Sequence, residues 1–161
     1  MKSDITVQLK DPRWKSLLRP YCKTVREACE AALQISGDRC QLTEMTVVLA
    51  DDSFIGDLNR TYRGKNKATN VLAFPNENLS PDSCYLTPPV KHLGDLVLAL
   101  ETIGREAKEQ GKSFKDHTKH LLVHGTLHLL GHDHMKKREA ETMEALEIKI
   151  LKKLGIANPY L

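Results

Sequence analysis

The sequence predicts one α+β domain spanning residues 1–161, in which a mixed sheet of about four strands packs against about five helices. Three observations predict it. Four short runs, at 5–9, 45–50, 71–74 and 93–100, either alternate apolar with polar residues or are dense in β-branched and apolar side chains, as strands require. The longer stretches between them carry apolar residues at three- and four-residue spacings, so each helix has a single stripe to bury, and strands and helices alternate irregularly. Finally, 161 residues with 40% hydrophobic content suit one core, and no repeat or compositional break marks a second domain.

Taken in order, Ile5, Val7 and Leu9 form the first strand. Asp11-Pro12 then starts a helix near Trp14, which Pro20 kinks or restarts. Leu17, Leu18, Tyr21, Val25, Cys29, Ala32 and Leu33 give its apolar stripe, and it ends before Gly37. Residues 45–50 are the second strand, closed by Asp51-Asp52-Ser53, any of which caps a helix running to about Tyr62. The third strand at 71–74 is ended by Pro75, and residues 76–89, with Pro81, Pro88 and Pro89, read as loop. The fourth strand, 93–100, leads into a helix at 101–110 ended by Gly111. Ser113-Phe-Lys-Asp116 has capping-box form and starts a helix at Phe114 that runs through His128. A last amphipathic helix, 139–154, aligns Met143, Leu146, Ile150 and Leu154.

The densest chemistry is His124-Gly-Thr-Leu-His128-Leu-Leu-Gly131-His-Asp-His134. On a helix, His124 and His128 lie on one face a turn apart, and Gly131 ends the helix in a left-handed conformation that brings His134 back as a third ligand. Three protein ligands with one position free is the arrangement of catalytic zinc, whereas structural zinc is closed by four. His120 lies eight residues before His128, a rise of ~12 Å, and His117 lies ~10.5 Å along the axis from His124. Neither shares the ion, and both are read as surface residues or as residues behind the ligands. Asp133 is placed to accept a hydrogen bond from a ligand imidazole, or else belongs to an ordinary polar turn.

The spacing matches the metzincin protease pattern except that Gly125 replaces its general-base glutamate, which argues against peptide hydrolysis by that route. A basic group, Arg60, Arg63, Lys65 and Lys67, surrounds Gly64. It is either a solvated loop or a phosphate-binding edge in which the Arg63 fork engages an oxyanion. The formal charge of +3 permits a nucleic-acid partner without demanding one. Asp4, Lys10, Asp11 and Arg13 interrupt the apolar residues of the N-terminus, and no apolar run approaches ~20 residues, so a cytoplasmic protein is expected. Cys22, Cys29, Cys40 and Cys84 contain no Cys-x-x-Cys pair and are read as reduced thiols, the first two as packing residues.

Together with His124-Gly-x-Leu-His128-Leu-x-Gly131-x-Asp133-His134, the chain carries Asn59-Arg-x-Tyr62-Arg63-x-Lys65, Thr69-Asn-Val71-Leu72-Ala-Phe74-Pro75 and Leu93-Gly94-Asp95. Over residues 42–160 it thereby resembles the YbeY family of bacterial endoribonucleases and rRNA maturation factors. Asn70 and Ala73 stand where many members have Asp and Ser, and His132 where Tyr is common. The resemblance implies a zinc site at His124, His128 and His134, a functional arginine at Arg63, and cleavage of single-stranded RNA in ribosomal RNA maturation, including the 16S 3′ end, and in ribosome quality control. It also implies the small ribosomal subunit and its associated proteins as partners, with no membrane or DNA partner. The sequence shows no general base, so hydroxide generated at the metal and an RNA 2′-hydroxyl both stay open as nucleophile. A zinc peptidase with its base elsewhere, and a ribosome-binding factor merely stapled by zinc, are the competing readings.

Overall fold

A computed structural model describes residues 2–35, 42–76 and 90–161. Its elements run β1 (Lys2–Leu9), α1 (Trp14–Leu17), α2 (Tyr21–Ile35), β2 (Leu42–Ala50), α3 (Asp52–Arg63), β3 (Val71–Pro75), β4 (Val90–Ala99), α4 (Leu100–Glu109), α5 (Phe114–Leu129) and α6 (Lys137–Lys153). The four strands form one sheet in the order β1-β2-β4-β3. β1 and β2 are parallel, as are β2 and β4, while β3 runs antiparallel to β4 and forms an edge.

Six helices lie among the described residues, against about five expected, because Pro20 restarts the first helix instead of kinking it. A single turn, α1, ends at Leu17, and α2 begins at Tyr21 with the Pro20 carbonyl accepting from the Thr24 N–H. Trp14 fixes that turn: its ring is fully buried and its Nε1–H donates to the Ala50 carbonyl at 2.8 Å. The expected caps form, with Asp51 accepting from the Phe54 N–H at 2.8 Å and Ser113 from the Asp116 N–H at 3.0 Å. Gly37, Cys40, Cys84 and residues 77–89, most of the stretch expected to be loop, lie outside the described residues. Cys29 is fully buried, and burial pushes its thiol up to about 12, so it stays protonated as a packing residue; Cys22 is half-buried. Asp95 is exposed on the central strand β4.

Strand alternation divides the apolar side chains between the two faces of the sheet. Ile5, Met45, Val47, Leu49, Leu96 and Leu98 pack with α2, α5 and α6 in the main core. Val48, Ala50, Leu72, Val97 and Ala99 face the other way and pack with Ile55 of α3. α5 lies flush against β3 and β4 at Gly125, where an added Cβ would stand 2.8 Å from Leu96 Cδ2 and 3.4 Å from Val71 Cγ2. The glycine that replaces the protease glutamate is therefore a packing requirement, and a side chain there points into the sheet.

Gly125→Glu should consequently destabilise the fold by at least ~2 kcal/mol, since it overpacks the Leu96 contact and buries a carboxylate. Urea denaturation measures this, and parental stability would show that α5 is not seated as described.

Candidate metal centre and cleft

α5 ends in a Schellman turn. Gly131 takes φ +96° while the His132 N–H donates to Leu127 O at 3.0 Å and the Gly131 N–H to His128 O at 3.0 Å. The chain reverses there and carries His134 back to the helix face that bears His124 and His128. One nitrogen from each of the three rings lies within 4.8 Å of the others, and the ring centroids are 4.6, 4.9 and 5.5 Å apart. His124 Nε2 and His128 Nε2 are separated by 3.1 Å. Two nitrogens ~2.0–2.1 Å from one tetrahedral ion would be ~3.3 Å apart, so these rings suit a shared metal.

Protonation favours the same arrangement. Burial, followed by the neighbouring His124 and His134, lowers the pKa of His128 and keeps its imidazole neutral. Glu147, fully buried on α6, accepts from His124 Nδ1–H, from His120 Nε2–H at 3.3 Å, and from the Tyr160 hydroxyl. Burial alone would raise this carboxyl, but the three bonds outweigh it and hold the group at about 2. An ionised carboxylate only accepts, so His124 carries its proton on Nδ1 and directs the Nε2 lone pair to the site.

The imidazoles open onto a cleft of about 1330 Å³. Arg63, Lys65 and Lys67 line the same cleft, as does Lys112 from the α4–α5 turn. Arg63 Nη2 donates to the Ala73 carbonyl of the edge strand β3 at 3.1 Å. Buried Asn59 donates to Lys67 O at 2.9 Å and so pins the segment that carries both lysines. Arg60 falls outside this group. It makes an exposed ion pair with Asp57 one turn earlier on α3 and does not line the cleft.

For two other residues the structure favours one of the readings that the sequence leaves open. His117 is no surface residue: it is 3% exposed and its Nε2 lies 2.8 Å from Glu106 Oε2, while burial lowers its pKa. His120 sits behind the ligands through its bond to Glu147. Asp133 lines the cleft, but its carboxylate accepts from the His134 backbone N–H at 2.7 Å, and it is Glu147 that accepts the hydrogen bond from His124 Nδ1–H. Glu147 was the residue missed. Its signal was present, because a charge between Met143 and Ile150 in the apolar stripe of an amphipathic helix demands a buried partner.

Fold and site define a one-domain α+β protein with a three-imidazole group able to hold a metal, in a cleft lined by basic side chains. Residues 4–155 match the family described as Endoribonuclease YbeY. Proteins named Endoribonuclease YbeY from Rhizobium johnstonii and Parvibaculum lavamentivorans are 44% and 50% identical. The matches cover 98% of this chain and 92% of the first relative, and 86% and 76% for the second. A Thermotoga maritima protein solved in solution shares the fold, with a TM-score of 0.54 and 22% identity over 94% of this chain and 92% of that one. This chain belongs to the YbeY family.

Metal retention should track neutral imidazoles. His128 holds a lowered folded pKa, so its contribution to stability is complete above ~6.5, the unfolded value, and is lost as the pH falls toward the folded one. Protonation of the ligands displaces the ion in the same direction. Zinc measured after dialysis should thus be stoichiometric at pH 8 and largely lost at pH 5. His124→Ala and His128→Ala should lose it at either pH, while His117→Ala should retain it at pH 8. Full zinc in either of the first two variants would assign the site to other histidines.

Proposed function

We propose that the chain is a zinc-dependent endoribonuclease that cuts single-stranded RNA during ribosomal RNA maturation, including the 3′ end of 16S rRNA, and in ribosome quality control. Its relatives carry the name endoribonuclease. The observation that carries the reading is that three convergent imidazoles and the Arg63, Lys65 and Lys67 side chains line one cleft. A divalent metal held by His124, His128 and His134 supplies a Lewis acid for a phosphoryl oxygen and lowers the pKa of water toward ~7.

The chain's own residues supply the rest. Arg63 spends one donor on the Ala73 carbonyl, which steadies the guanidinium at the cleft and leaves further N–H groups to grip a phosphate in fork geometry. Lys65 and Lys67 hold neighbouring phosphates of the strand. The small ribosomal subunit and its associated proteins are the partners that fit this role, with RNA and not DNA or a membrane as the surface recognised. No described helix is long and apolar enough to cross a membrane, and we place the protein in the cytoplasm.

Two observations weigh against the peptidase reading. A residue at Gly125 faces the sheet, and Arg63 already occupies a carbonyl on the edge strand where a peptide would add. The group that can hold the metal contains three ligands among the described residues, which suits an active centre better than a four-ligand staple.

Arg63→Ala should keep parental zinc content and unfolding midpoint while kcat/KM on single-stranded RNA falls roughly ten- to a hundredfold, the consequence of losing a charge-assisted fork. Arg63→Lys should recover part of the loss, since it restores charge without the fork. Parental cleavage by Arg63→Ala at matched zinc content would remove the role assigned to it.

A further inference from the structure

Tyr160 lies beyond α6, in a turn held by its own N–H donating to Asn158 Oδ1 at 2.8 Å. The residue is 45% exposed and lies outside the main core. It nevertheless packs nearly perpendicular to the His120 ring, with centroids 5.8 Å apart, and donates its hydroxyl to Glu147 Oε2. Glu147 Oε2 also accepts from His120, and Oε1 accepts a hydrogen bond from His124 Nδ1–H. A carboxylate with no exposed surface is stable as an anion only while such donors surround it. His120, His124 and Tyr160 are those three donors, and one of them is a ligand of the proposed metal.

We propose that Glu147 and Tyr160 are positioning residues for the metal: the Tyr160 hydroxyl completes the donor set that keeps the buried carboxylate aimed at His124, and this fixes the ligand tautomer and sets the affinity of the site. The inference rests on the reading that His124, His128 and His134 hold the ion. Its physical content is coupling across three elements. If the hydroxyl is lost, Glu147 retains only the two imidazole donors and its hold on the His124 ring loosens. Nε2 of His124 must then compete with the alternative tautomer, whose lone pair faces away from His128. A turn following α6 thereby adjusts a site built on α5.

The test uses the full chain and Zn²⁺ alone. Zinc affinity is measured by competition with a chromophoric chelator for the parent, Tyr160→Phe, Glu147→Gln and His124→Ala proteins. Metal-free unfolding midpoints and the ¹⁵N shifts of the His124 ring are recorded alongside. Glu147→Gln keeps the shape of the side chain and removes its charge; it should weaken zinc binding about ten- to a hundredfold. Tyr160→Phe should weaken it several-fold with an unchanged metal-free midpoint, and the His124 signals should move from a pure Nδ1–H form toward a mixture of tautomers. A merely structural role would shift the midpoint and leave affinity and tautomer alone. Parental zinc affinity in both variants, with His124→Ala devoid of zinc, would overturn the inference while leaving the metal site standing. Zinc retained by His124→Ala would overturn the underlying reading as well.

Discussion

The seating of α5 on the sheet at Gly125 is the contact on which the site's geometry depends. With no side chain between them, the helix backbone settles against Leu96 and Val71. Gly125 therefore faces the sheet, and its neighbour His124 and the residue one turn on, His128, present their rings toward the cleft. The sheet supplies the other wall through β3, whose position at the edge leaves the Ala73 carbonyl for Arg63. The three imidazoles and the basic side chains thus share one cleft because a parallel sheet carries one antiparallel edge strand beside a closely packed helix. A larger residue at 125 would lift α5 and separate the two.

The second determinant is electrostatic. Glu147 introduces a full negative charge into the interface between α5 and α6, where burial opposes it. Three donors compensate the charge, and their convergence orders the imidazole of His124. The same burial that raises the Tyr160 hydroxyl, reinforced by Glu147, keeps that group protonated and able to donate. Anionic Glu147 and the neutral Tyr160 hydroxyl therefore support one another, each held in its form by the same hydrogen bond.

Local signals carried the elements and the ligand set. His124, His128, Gly131 and His134 are legible because four-residue spacing and a helix-ending glycine translate directly into geometry. The strands at Ile5, Met45, Val71 and Leu96 were equally plain from alternation and β-branching. The order β1-β2-β4-β3 was not, because strand neighbours depend on crossovers that no local pattern encodes. Glu147 lies 23 residues from His124, and only its misfit within an apolar stripe hinted at a partner. Tyr160 gave no hint. Arg60 and Arg63 look alike in sequence, yet one helical turn sends the first to Asp57 and the second to Ala73. For His117 the sequence leaves a surface or a buried position open, because its partner Glu106 belongs to the preceding helix and meets it only after α4 packs on α5.

X-ray absorption at the zinc edge of the loaded full-length protein tests the central claim most directly. The account predicts a first shell of nitrogen and oxygen only, with scattering from three imidazoles at ~2.0–2.1 Å and one further light-atom ligand from solvent. Sulfur at ~2.3 Å, or four imidazoles, would contradict it and make the ion a structural staple.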